Sequence, residues 1–116
     1  MKPPKVDDYR FGRVVIDGKA YRRDVIILPQ GVQRNWRRFE GHSLAIEDLS
    51  WLPEKRPLTL IIGTGAYGLV NIPEETRRQI EAEGIRLLAA PTARACEAYN
   101  RLRIQGSVVA GLHLTC

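Results

Sequence analysis

Leu58-Thr59-Leu60-Ile61-Ile62-Gly63-Thr64-Gly65 is the stretch whose reading decides the fold. Leu58 to Ile62 have almost no polar character and read as a strand covered on both faces, the habit of parallel sheets. The glycines that follow let the backbone turn sharply at the strand's carboxyl end, where open α/β sheets bind ligands. One short run therefore predicts a parallel sheet and marks the edge at which a site is expected.

Toward the carboxyl end, residues 58–114 read as βαβαβ. A helix opens near Pro73 with Glu74 and Glu75 in its first turn, where acids suit the positive end of the helix dipole, and Gly84 supplies a left-handed stop. Ile85–Ala89 is a second strand, apolar apart from Arg86. Thr92 is placed to cap a helix running to about Ile104, with Ala95, Cys96, Tyr99 and Leu102 on one face and Glu97 and Arg101 paired at i,i+4 on the other. Gly106 ends that helix, and Ser107–Leu114 is the last strand. Right-handed crossovers taken in one direction put both helices on the same face of the three strands. The strands are apolar on both faces, so the opposite face needs a cover from the first half of the chain.

That first half offers β structure. Phe11–Ile16 and Lys19–Leu28 flank Asp17-Gly18, and Asp-Gly between apolar runs specifies a hairpin because a type I′ turn needs positive φ twice. Pairing across the turn sets Val14 opposite Tyr21 and Val15 opposite Ala20, and Pro29 closes a hairpin spanning 11–28. Residues 1–10 are polar, contain two prolines and are expected to fray. The basic, aromatic segment Val32–Phe39 has no assigned element. A short helix is expected from about Leu44 to Leu52, capped by Ser43, with Glu47 and Asp48 in its early turns and Leu44, Leu49 and Leu52 facing the core. Pro53 and Pro57 bracket a charged loop. The prediction is one α/β domain over 1–116, a compact three-layer β/β/α arrangement of N-terminal hairpin plus βαβαβ half with parallel strands. The two later helices are expected on one side and the N-terminal β structure on the other.

At 116 residues the chain is long enough for a core without disulfides or metal. With 44% hydrophobic and 27% charged residues it has the composition of a soluble globular domain. No apolar run approaches the ~20 residues that span a bilayer. The start, Met1-Lys2-Pro3-Pro4-Lys5, lacks the apolar segment of a signal peptide, so a cytoplasmic location is expected. The formal charge of +5 is arginine-rich and densest around Arg34, Arg37 and Arg38, which favours acidic partners.

Candidate chemistry is sparse. Gly63-Thr64-Gly65-Ala66-Tyr67-Gly68 matches G-x-G-x-x-G after a strand, but Leu69-Val70-Asn71-Ile72 intervene before the helix. No acid ends the next strand at Leu88-Ala89-Ala90-Pro91, so the match reads as a glycine turn and no cofactor is expected. Amides and hydroxyls at Gly63, Thr64, Gly65 and Thr92 are the ligand-binding candidates for an anion or small molecule. Cys96, one turn into its helix, is a candidate nucleophile set against a plain core role, and His42 is a candidate base set against a capping role. Cys116 reads as a mobile exposed thiol and His113 as a hydrogen-bonded core or edge residue. Neither cysteines nor histidines have metal-ligand spacing. Arg34, Trp36, Arg37 and Arg38 are the partner-binding candidates. They interleave cations and aromatics, yet no nucleic-acid module surrounds them, so nucleic acid is not expected and the plainer reading packs Trp36 and Phe39 on the core with the arginines in water. Asn100, beside Tyr99, is expected to satisfy nearby backbone groups.

Several stretches together resemble a known family. They are Trp36-Arg37-Arg38 through Glu40-Gly41-His42 and Asp48-Leu49, then Ile61-Ile62-Gly63-Thr64-Gly65. The helix start at Pro73-Glu74, the run Thr92-Ala93-Arg94-Ala95-Cys96-Glu97-Ala98-Tyr99-Asn100 and the final strand ending near His113 complete the likeness. The chain resembles, from about Tyr9 to Leu114, the small α/β family that includes the mitochondrial respiratory complex I assembly factor 3 and the adipogenesis-associated domain protein. That resemblance implies a three-layer β/β/α domain and a protein-interaction or assembly role with no settled activity. The family often has Asp before the threonine that opens the last helix, where this chain has Pro91, so no role is carried over to an acid there. Fold follows from such a likeness more directly than function does. The alternative is a small-molecule or anion site at the carboxyl edge of the parallel strands.

Overall fold

The computed structural model describes residues 2–38, 42–50, 52 and 57–116. Phe39, expected on the core, together with Glu40, Gly41, Trp51, Pro53 and residues 54–56 of the charged loop, lies outside the described residues.

Among the described residues, two sheets and two longer helices form one small α/β globule. Strands β1 (Val6–Arg10), β2 (Arg13–Ile16) and β3 (Lys19–Tyr21) make a three-stranded antiparallel sheet. The second sheet contains β4 (Val25–Leu28), β5 (Gly31–Gln33), β6 (Thr59–Thr64), β7 (Arg86–Ala90) and β8 (Val108–His113), in the order β5-β4-β8-β6-β7. Helix α1 (Glu74–Ala82) joins β6 to β7, and α2 (Thr92–Leu102) joins β7 to β8.

The Asp17-Gly18 turn forms as its chemistry dictates, with φ of 49° and 80°, and sets Val14 opposite Tyr21 and Val15 opposite Ala20. The hairpin is shorter than 11–28, however. Its second strand stops at Tyr21, and Val25–Leu28 crosses to the other sheet, pairing antiparallel with β8 and β5. Val25, Ile26 and Ile27 are all buried, and a strand apolar on both faces belongs in the middle of a covered sheet.

Fraying is expected over residues 1–10, but Val6–Arg10 is a strand paired with β2. Its anchor comes from the far end of the chain. The side-chain amide of Asn100 accepts from the Val6 amide at 2.9 Å and donates to the Val6 carbonyl at 2.7 Å. The Tyr99 hydroxyl donates to the Pro4 carbonyl at 2.6 Å. Asn100 thus satisfies backbone groups as expected, and in doing so it orders the amino end. Among the described residues of the expected Leu44–Leu52 helix, Ile46–Leu49 form a 3₁₀ turn and Leu52 is helical. Asp48, not Ser43, holds the start of that turn by accepting from the Ala45 amide at 2.8 Å, while Leu44, Leu49 and Leu52 are buried as the pattern required.

β6 is parallel to both β7 and β8, so the three strands do point one way. The helices nevertheless lie on opposite faces. The chain steps from β6 to β7, then returns past β6 to reach β8, and right-handed crossovers taken in opposite directions place their helices on opposite sides. Alternation along β6 shows the result. Ile61 joins a core with Ala95, Cys96 and Tyr99 of α2 and with Val14 and Ile16 of the small sheet. Leu60 and Ile62 join a second core with Ile80 of α1, Trp36, Leu44 and Leu49. Among the described residues, no helix is long and apolar enough to cross a membrane.

Candidate functional site

The carboxyl ends of β6 and β8 meet the start of α2 along one rim, and a single hydroxyl fastens them. Thr92 Oγ1 donates to the His113 carbonyl at 2.6 Å and accepts from the Gly65 amide at 2.9 Å. The Thr92 amide in turn donates to the Gly65 carbonyl at 3.0 Å. Gly63 makes this possible, because a Cβ there would stand 2.8 Å from the Thr92 hydroxyl. Gly65 has φ +106°, and a Cβ on it would stand 2.5 Å from the Thr115 carbonyl. The glycines thus admit close approach of the chain's own backbone. Of the four ligand-binding candidates Thr64, itself nearly buried, lines a cleft with Gly68, Asn71 and Arg77. Gly63, Gly65 and Thr92 are buried, with the Gly65 amide and the Thr92 hydroxyl already paired.

A second constellation lies where β4 begins and β8 ends. Val25 faces Leu112 across the antiparallel pair, so the preceding Asp24 comes beside His113. Asp24 Oδ2 is 2.7 Å from His113 Nδ1 and accepts from Arg38 Nη1 at 2.9 Å, while Oδ1 accepts from the Leu114 amide at 2.9 Å. Burial alone would raise the Asp24 carboxyl, but the bonds from His113, Leu114 and Arg38 outweigh it and hold it below its ordinary value. The hydrogen bond to Asp24 raises His113, against a smaller opposing effect of burial.

Arg38 is therefore an interior cation, its side chain 5% exposed, and its guanidinium lies 5.2 Å above the Trp36 ring. Trp36 is buried too, donating from Nε1 to the Asp48 carbonyl at 3.2 Å. Gly111 leaves it room, since a Cβ there would come within 2.9 Å of the indole. Of the four expected partner-binding residues, Arg34 and Arg37 remain at the surface. The structure adds Arg22 and Arg23, which no local pattern marked. Two clefts share this pair, one also lined by Tyr21, Arg34 and Asn35, the other by Arg37, Trp36, His113 and Thr115. Arg22, Arg23, Arg34 and Arg37 have no carboxylate partner among the described residues.

The two cysteines differ sharply. Cys96 is 5% exposed in the core, and burial pushes its thiol up to about 12, the behaviour of a packing residue. Cys116 is half-buried beside two imidazoles, with His42 Nε2 at 3.3 Å from its sulfur. Hydrogen bonding to His113, then His42 and Thr115, brings its thiol down to about 7. The segment that carries it is tethered, not loose: the Leu114 carbonyl accepts from the Gly12 amide at 2.8 Å and the Thr115 carbonyl from the Ala66 amide at 3.1 Å. His42 is exposed and meets Cys116 rather than any element of a helix cap. Among the described residues no three His, Cys, Asp or Glu side chains stand together to hold a metal.

The model for the family described as "Protein of unknown function (DUF498/DUF598)" matches residues 6–113. The chain belongs to that family. The conserved hypothetical protein PH1505 from Pyrococcus horikoshii is 29% identical, with TM-score 0.85 over 97% of this chain and 99% of that one. A protein described as an outer membrane protein from Bartonella henselae is 25% identical, with TM-score 0.83 over 99% and 98%. A Bordetella pertussis protein described as a Mth938-like domain is 18% identical and shares the fold, with TM-score 0.71 over 96% and 85%. The DUF498 match spans most of the chain, and these neighbours share its fold.

Proposed function

We propose that this DUF498 domain is a non-enzymatic interaction module that docks an acidic surface of a partner protein on the face formed by Arg22, Arg23, Arg34 and Arg37. The observation that carries the reading is the contrast within one segment. Arg38 is committed inward to Asp24, which fixes the backbone, while its neighbours extend outward without acidic partners among the described residues. Clustered like charges on a fixed frame steer and orient an oppositely charged surface. The resemblance to the complex I assembly factor 3 family agrees with an assembly role. Retrieval of a stoichiometric partner from native lysate, weakened by Arg22→Glu with Arg37→Glu and by added salt, is the expected result. Retention unchanged by both the substitutions and ~200 mM salt would refute it. Arg38 is left intact in that test, because reversing it would break the buried ion pair.

A second reading rests on the cleft at the carboxyl edge, where Thr64, Asn71 and Arg77 offer a hydroxyl, an amide and a cation to a small anion. Titration with inorganic phosphate, followed by amide shifts at Thr64 and Asn71, tests it. Shifts confined to the Arg22–Arg37 face would remove it.

A further inference from the structure

Four chemistry-bearing side chains from three segments meet in pairs at one end of β8, Asp24 with His113 and His42 with Cys116. His113 Nδ1 lies 2.7 Å from Asp24 Oδ2 and 2.8 Å from Arg38 Nη2, so the ring is held on that side, and its Nε2 is turned toward Thr115 Oγ1 at 3.5 Å and the Cys116 sulfur. His42 Nε2 flanks the same sulfur at 3.3 Å. An oriented imidazole beside a thiol, with a carboxylate behind it, is the general arrangement that activates a sulfur nucleophile. The arginine cleft opens onto His113 and Thr115, so negative charge is drawn to the mouth of this cluster.

We propose that Cys116, with His113 and His42, forms a thiol-exchange site for small anionic disulfides, which the Arg22–Arg23–Arg37 cleft draws in. His113 accepts the thiol proton. The Cys116 thiolate then attacks one sulfur of R–S–S–R, the Sγ–S bond forms as the S–S bond breaks, and the electron pair leaves on R–S⁻, which takes the proton back from His113. One disulfide replaces another, so no further oxidant enters. The inference shares the arginine cleft with the docking reading but can fail separately from it, since it requires the sulfur and docking does not.

The native full chain provides the test, with Cys96 as its internal control. Reaction with the dicarboxylate 5,5′-dithiobis(2-nitrobenzoate) and with the neutral 2,2′-dithiodipyridine is followed by absorbance, and the modified peptide by mass. Modification of Cys116 alone is expected, with a pH–rate midpoint near 7 against an ordinary 9.0. At pH 7 roughly half the thiol is then ionised instead of ~1%, a ~50-fold gain reduced about tenfold by weaker intrinsic nucleophilicity, so the net advantage is roughly fivefold. His113→Gln and the exposed His42→Gln are each expected to raise the midpoint. Arg23→Gln with Arg37→Gln is expected to slow the anionic probe several-fold and leave the neutral one unchanged. A wild-type midpoint near 9, or a midpoint unmoved by His42→Gln in a folded protein, overturns the activated thiol. An unchanged anionic-to-neutral ratio in the arginine variant overturns the anionic substrate class.

Discussion

The carboxylate of Asp24 meets the imidazole of His113 at 2.7 Å although 89 positions separate them in the chain. The antiparallel pairing of β4 with β8 brings them together, and Arg38 completes the group from the segment after β5. Removing one member of a buried, hydrogen-bonded charge network leaves the others without compensation. Asp24→Asn is therefore expected to lower the unfolding free energy by about 2–4 kcal/mol in urea titration. A loss below about 0.5 kcal/mol would mean the network is not stabilising.

The same network fixes a pH dependence. Asp24 is held low, so its contribution is full above the ordinary carboxylate range and is lost as pH falls through its lowered value. His113 is held high, so its contribution is full below its ordinary value and is lost as pH rises through the raised one. The stability gap between wild type and Asp24→Asn should be widest between about pH 4 and 6.5 and narrow on either side. A gap of constant size from pH 3 to 9 would contradict the assignment.

Gly65 lies against the Thr115 carbonyl with positive φ, so Gly65→Ala introduces both backbone strain and a clash. A loss of about 2–4 kcal/mol is expected. The amides of Ala66 and Gly12, which donate to Thr115 and Leu114, should exchange faster with solvent deuterium. Unchanged exchange at both would show that the glycine is not needed there.

Asn100 holds the first strand through two bonds to Val6. Asn100→Ala is expected to cost about 1–3 kcal/mol and to raise deuterium uptake over residues 4–8 ahead of the rest of the domain. Uptake that rises evenly across both sheets would mean that the strand is held by other contacts.

What the sequence made legible is what local chemistry specifies. Asp17-Gly18 dictates its own turn and register, and the run ending at Gly63 announces a parallel strand. Strand order is not local. Nothing near Ile85 or Val108 says that β8 lies on the far side of β6 from β7, and the misplaced helix follows from that gap. Asp24 carries no signal of its own either, because its partners are found only once β4 is known to lie beside β8. The amino end looks prone to fraying because its anchors, Tyr99 and Asn100, are more than ninety residues away. The glycine turn was visible, but its use was not: Gly63 and Gly65 make room for Thr92 and Thr115, contacts that no spacing within the turn reveals.

The central claim, that the arginine face docks an acidic partner, is tested most directly by a photo-crosslinking amino acid placed at Arg37 and, as control, at exposed Glu81 on α1. Position 37 should yield one dominant adduct in native lysate, mapped to an acidic segment of a single protein and lost with Arg23→Glu, while position 81 yields none. Adducts scattered over many proteins, or equal at both positions, would contradict it.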